Sequence, residues 1–110
     1  MCTSIVEIAD AEGMAKSDGD WFKLTHSVVA YYHARHAVLG DVITLDFING
    51  ELPPGARAAV ELTLESAKAL HAALAKAIAE AEVEEAERSE AIERVRHAAA
   101  QRAALAREAA

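Results

Sequence analysis

The sequence predicts an α+β protein: a four-stranded, mostly antiparallel sheet followed by one long C-terminal helix. Three observations predict it. Residues 1–62 hold every glycine, both prolines and every aromatic residue, the composition of strands punctuated by turns. Residues 63–110 contain neither glycine nor proline, so nothing there stops a helix. The apolar residues alternate in the first part and recur at helical spacing at the start of the second.

The first strand is expected over Thr3–Ala11, where Ile5, Val6 and Ile8 supply the apolar side chains. Ser17-Asp18-Gly19-Asp20 reads as a turn into the next apolar run. The second strand, Trp21–His33, is long enough to need a bulge or bend. A loop over His36–Gly40 leads to the third strand, Asp41–Ile48, with Ile43, Leu45 and Phe47 on one face and Val42, Thr44 and Asp46 on the other. Asn49-Gly50 and Pro53-Pro54-Gly55 make the next loop. The fourth strand, Arg57–Leu62, sets Ala58, Val60 and Leu62 against Arg57, Ala59 and Glu61. Such alternation belongs to an antiparallel sheet with one face covered.

Thr63 is a suitable N-cap, and Glu65 falls in the first turn, where the helix dipole favours a negative charge. Leu70, Leu74, Ala77, Ile78 and Ala81 form an apolar stripe expected to pack on the sheet. Beyond it the large apolar residues thin to Ile92, Val95 and Leu105, while Glu84/Arg88 and Glu90/Arg94 have favourable i,i+4 spacing. Ile92, Val95 and Ala99 give a 3,4 repeat too brief for a coiled coil by itself. One helix over 64–108 would be about 68 Å long at 1.5 Å per residue, and its far end would project. A break with Ser89 as a new N-cap is the competing reading. The expected organisation is therefore a sheet plus packing helix over 1–83 and a helical extension over 84–110.

The totals exclude several functions. A net charge of −7 over 110 residues argues against nucleic acid, whose binding needs clustered Lys and Arg, and against an anionic membrane surface. No apolar run approaches a membrane span, and no basic-then-apolar leader opens the chain. The single cysteine forms no internal disulfide, which fits a reducing cytoplasm. There is no glycine-rich phosphate loop, no HExxH, no CxxC and no hydrolase elbow. Without a complete catalytic set, the chain reads as a binding or accessory protein rather than an enzyme.

What chemistry the residues offer is concentrated in Cys2 and the pair His33-x-x-His36. Thiolate and imidazole are ligands for zinc, iron or copper, so Cys2, His33 and His36 form a candidate site for a divalent transition metal. The two histidines converge only if the strand ends near His33 and the chain turns, with Cys2, His26, Asp41 or Asp46 completing the shell. If Met1 is removed, the α-amino group of Cys2 joins its thiol in a chelate. The bland alternatives are surface histidines at a strand end and an inert thiol. Arg35 would be solvated or bind an anion, and Asp46, in an apolar strand, would be paired or solvent-facing. Tyr31, His33 and Trp21 share a face if the second strand is regular.

Several segments resemble a family of small bacterial proteins of unknown function whose members begin Met-Cys-Thr. They are Met1-Cys2-Thr3, Gly19-Asp20-Trp21-Phe22, His33-Ala34-Arg35-His36-Ala37, Leu45-Asp46-Phe47 and the run from Pro54 to Leu62. The resemblance covers about residues 1–80 and supplies no activity. Relatives often read Asp-His-Pro-x-His-Ala with a Glu-His pair beyond. Here Tyr32, Ala34 and Leu39-Gly40-Asp41 occupy those places, which removes ligands from any metal site the resemblance implies. The residues past about 84 look like an extension of the family.

A sheet with one helix leaves a face bare, and a homodimer through that face or through the helical tail is the expected remedy. The sheet face or the C-terminal helix would equally serve a protein partner.

Overall fold

Asp18 (φ 52°) and Gly19 (φ 85°) both adopt positive φ. A two-residue type I′ hairpin turn requires this, and its twist matches that of the strands it joins. Around this turn the computed structural model, which describes residues 5–36, 40–51 and 56–109, builds six strands and one helix. They are β1 (Val6–Asp10), β2 (Met14–Ser17), β3 (Asp20–Lys23), β4 (His26–His33), β5 (Asp41–Asn49), β6 (Ala56–Leu62) and α1 (Leu64–Ala109). The chain divides into two compact units, Met1–Leu70 and His71–Ala110. Cys2 and Pro53-Pro54-Gly55 lie outside the described residues.

The expected α+β architecture is present: a four-stranded antiparallel sheet in the order β1-β4-β5-β6, then one long helix. A second, two-stranded sheet, β2-β3, accompanies it. The expected first strand, Thr3–Ala11, corresponds to β1 alone, β2 is a strand the sequence reading did not expect, and the expected second strand, Trp21–His33, is in fact two, β3 and β4. Asp10 pairs with His26 and Met14 with Lys23. Between these pairs, Ala11, Glu12 and Gly13 on one arm face only Leu24 and Thr25 on the other. Ala11 N–H donates to Thr25 O at 3.1 Å and Leu24 N–H to Gly13 O at 2.9 Å, so Glu12 is the extra residue of a β-bulge. A bulge bends and twists the hairpin that carries it. The bend brings β2 against β6, and Ser17, Asp18 and Phe22 share a shallow dip with Ala56 and Arg57.

Thr25 fastens the bend. Its backbone N–H donates to Ile48 O at 2.8 Å. Its hydroxyl lies 3.1 Å from the same carbonyl, accepts Gly50 N–H at 3.0 Å and sits 2.8 Å from Nδ1 of His26. Thr25→Val removes these side-chain bonds while keeping shape. It is expected to lower unfolding free energy by about 1–2 kcal/mol, seen as a lower urea midpoint at unchanged slope.

Register assigns the faces. Val29, Tyr31, Ile43, Leu45, Phe47 and Val60 share one side, with Leu45 opposite both Val29 and Val60. Tyr32, Thr44, Asp46, Arg57 and Glu61 belong to the other. Among the described residues, Phe22 and Val42 are the only buried hydrophobic side chains and Asn49 the only buried polar one. Asn49 opens the turn after β5, its Oδ1 accepting Glu51 N–H at 2.8 Å, the bond that suits Asn to turns. Val42 belongs to the face of Tyr32 and Asp46, whereas the apolar face is half-buried apart from Val60, which is 41% exposed.

Thr63 caps α1 as its sequence position predicts. Its hydroxyl accepts Ser66 N–H at 3.0 Å and its carbonyl accepts Ala67 N–H at 2.9 Å. The helix runs without a break through Ser89, and none of its residues is buried. Leu70, Leu74 and Ile78 of the apolar stripe are 46%, 57% and 50% exposed. Its ion pairs close at i,i+3, Glu65–Lys68 and Glu93–Arg96, both at 3.3 Å, rather than at the i,i+4 spacings the sequence offered. No described helix is long and apolar enough to cross a membrane.

Candidate functional site

The end of β4 and the chain just after it carry most of the polar chemistry, and the sheet sends it to two places. His33 lies directly opposite Asp41 on β5. Nδ1 of His33 is 2.7 Å from Asp41 Oδ1, and Tyr31 OH donates to Asp41 Oδ2 at 3.3 Å. Tyr31, His33 and Asp41 therefore form one cluster on the apolar-face side of the sheet. The His33 and Asp41 side chains are 52% and 42% exposed, so water screens the pair and its contribution to stability is small.

The second place is a shallow polar depression of about 290 Å³ on the opposite face, lined by Tyr32, Arg35, His36, Asp46, Arg57 and Glu61 among others. Glu61 on β6 shapes it. One carboxylate oxygen accepts Arg35 N–H at 2.8 Å and the other accepts His36 N–H at 2.9 Å. A charged acceptor of two backbone donors is a strong fastening, and it holds the turn after β4 to the far edge of the sheet. The Arg35 guanidinium carbon sits 5.9 Å from the Tyr32 ring centroid, within cation–π range. Arg57 Nε reaches Asp46 Oδ1 at 3.2 Å.

The strand does end at His33 and the chain does turn, as convergence of the two histidines requires. The turn nevertheless separates their surroundings: His33 meets Asp41, whereas His36 lines the depression with Glu61. Of the residues weighed to complete a shell, Asp41 touches His33, Asp46 is engaged by Arg57, and His26 lies at the bulge beside Thr25. Cys2 falls outside the described residues. Among the described residues no group of three or more His, Cys, Asp or Glu side chains is placed to hold a metal ion. Trp21, on the separate hairpin and 64% exposed, stands apart from the Tyr31 cluster.

Sequence reasoning missed Glu61 and Arg57 as site residues. Their alternation on β6 placed them correctly on the polar face. The amides that Glu61 receives come from residues 26 and 25 positions away, and no local pattern announces that. The arrangement offers hydrogen-bonding groups and two guanidinium groups around a dip of small volume, a binding surface. Among the described residues, the Thr25 hydroxyl beside His26 is the nearest thing to an activated nucleophile, and its bonds to Ile48 and Gly50 commit it to the fold.

No curated protein and no solved structure matches the chain. A family model does, over residues 1–87. The match runs somewhat further than the resemblance expected from residues 1–80, and it ends within α1, leaving the rest of the helix beyond it. With more than half of its length matched, the chain belongs to the DUF6295 family, a family of unknown function.

Proposed function

We propose that this chain is a non-catalytic binding module of the cytoplasm that works as a homodimer and offers its sheet to a protein partner or a small ligand. One observation carries the reading. One face of the four-stranded sheet carries Val29, Tyr31, Ile43, Leu45, Phe47 and Val60, the first five half-buried and Val60 exposed. Contiguous apolar surface of this kind marks interaction sites. The opposite face supplies the polar depression, where two arginines and a tyrosine would orient a ligand.

Sedimentation of the full-length chain is expected to give about twice the 11.7 kDa of one copy. An apolar fluorescent dye such as ANS is expected to bind the native protein. Val60→Glu, which sets a carboxylate on the exposed β6 edge of the apolar face, is expected to suppress that signal without unfolding the sheet. A monomer that does not bind the dye would sink the proposal.

The second reading is a small metal centre at Cys2, His33 and His36. Its support is the Asp41 carboxylate on Nδ1 of His33, since metal-ligating histidines are commonly oriented this way. Elemental mass spectrometry of untagged, unchelated protein separates the two. Near-stoichiometric zinc, iron or copper that disappears in the His33→Ala/His36→Ala variant would replace the binding-module reading with the metal centre.

A further inference from the structure

The stripe along the second unit of the chain pairs apolar with apolar positions, and glutamate with arginine, about one central point. Going outward from the point between Ala86 and Glu87, the residues are Glu85 and Arg88, then Ala81 and Ile92, then Ile78 and Val95, then Leu74 and Ala99. Steps of three and four alternate throughout, so at 3.6 residues per turn all of them fall on one side of α1. Val83 falls on the other side. We infer that two copies of this chain pair through α1, antiparallel, about a twofold axis crossing the helix between Ala86 and Glu87.

This inference rests on the dimeric reading above and names its contact. A twofold axis there sets each residue of the stripe against its counterpart in the second copy. Glu85 meets Arg88 of the second copy, and Arg88 meets Glu85, so the dyad generates two complementary ion pairs from one. Ile78 meets Val95, Ala81 meets Ile92 and Leu74 meets Ala99, each a pairing of apolar groups made twice. A parallel, in-register pair would instead stack Glu85 on Glu85 and Arg88 on Arg88. Charge therefore selects the antiparallel arrangement, as it does between helices generally.

The structure leaves this stripe open. Leu74, Ile78, Ile92 and Val95 are 57%, 50%, 46% and 67% exposed. Among the described residues, the helix ion pairs are Glu65–Lys68 and Glu93–Arg96, so neither Glu85 nor Arg88 is engaged within its own chain. Arg88, Ala91, Ile92 and Val95, joined by Arg96, line an apolar dip on the helix surface. Residues at i, i+3, i+4 and i+7 are the four that form a hole for a knob from a facing helix. In the antiparallel arrangement the knob at that height is Ala81 of the second copy. The alanine layers allow the axes to approach closely.

Charge reversal with full-length protein tests it. Glu85→Arg and Arg88→Glu, each alone, place like charges together twice at the dyad, and each is expected to weaken the dimer at least about tenfold. An equimolar mixture of the two variants is expected to associate as the natural chain does, one copy doubly basic at the dyad and the other doubly acidic. The double variant Glu85→Arg/Arg88→Glu is expected to dimerise with itself. In a Cys2→Ser background, Ile78→Cys mixed with Val95→Cys is expected to form a disulfide under mild oxidation. Ile78→Cys alone is not, because the two copies of position 78 would lie about 25 Å apart along the axis at 1.5 Å per residue. Circular dichroism confirms that each variant keeps its helix. A dimer indifferent to both reversals, or one that crosslinks through Ile78→Cys alone, overturns the helix pairing while leaving the dimeric module standing. A natural chain that sediments as a monomer overturns both.

Discussion

Phe22→Ala is expected to destabilise the sheet by about 3 kcal/mol and to lower the midpoint of thermal unfolding by roughly 15 °C, at about 5 °C per kcal/mol for a domain of this size. Phe22 is 9% exposed and one of two buried hydrophobic residues among those described. It stands opposite Ala15 in the bent hairpin, and it shares a dip with Ala56 and Arg57 at the start of β6. Truncation therefore removes the main apolar group at the hairpin tip and leaves a cavity the small Ala15 cannot fill. The neighbouring Trp21 is larger but 64% exposed. Trp21→Ala is expected to cost less than about 1 kcal/mol. Differential scanning calorimetry on the two variants side by side checks the pair of values. A Trp21→Ala loss equal to that of Phe22→Ala would show that the hairpin tip is not where the first unit buries its apolar side chains.

Val42→Asp is expected to abolish folding of the sheet. Val42 is 0% exposed, and an ionised carboxylate there would lose its hydration without gaining a partner. That cost is several kcal/mol at least, set against a total stability of about 5–15 kcal/mol for an ordinary domain. The same strand and face supply the control. Asp46 is already a carboxylate, four residues along β5, and it is tolerated because it keeps 21% exposure and faces Arg57 at 3.2 Å. Val42→Ala, which changes only volume, is expected to cost about 2 kcal/mol. Far-ultraviolet circular dichroism and solubility distinguish the outcomes. A folded, soluble Val42→Asp protein would mean that water reaches this position in solution.

The parts of the fold visible in the sequence are those set by neighbours in the chain. Asp18-Gly19 announced its turn because few other residue pairs accept two positive φ values in succession. Thr63 announced the start of the helix, and the absence of glycine and proline after it allowed one helix while leaving a break at Ser89 open, which the structure resolves as a single helix. The faces of β5 and β6 followed from alternation alone. The strand β2 and the bulge that joins it to β1 at Ala11-Glu12-Gly13 did not. A bulge is defined by which residues face it, and that depends on where the turn fixes the register. A bend in the second strand was expected from its length, but its site at Leu24-Thr25 depends on Ile48 and Gly50. The same divide runs through the candidate site. Asp41 could be weighed as a companion of His33 because both bound one short loop. The hold of Glu61 on the amides of Arg35 and His36 joins the turn after β4 to β6, and only the assembled sheet reveals it.

The bulge at Glu12 also decides how the sheet is wired. With β1 and β2 as one bent arm and β3 and β4 as the other, each strand pairs with a neighbour in sequence: one long hairpin, then β4 with β5, then β5 with β6. No connection crosses over the sheet. A meander of this kind closes one short loop at a time, so chain entropy is lost in small steps rather than in one large one. Such local wiring favours quick folding for a β-rich chain. It gives the two-residue turn at Asp18-Gly19 a second part to play, as the point from which the longest hairpin zips: first β2 with β3, then past the bulge, then β1 with β4. Lengthening that turn with flexible residues would leave the finished sheet nearly unchanged and slow its formation.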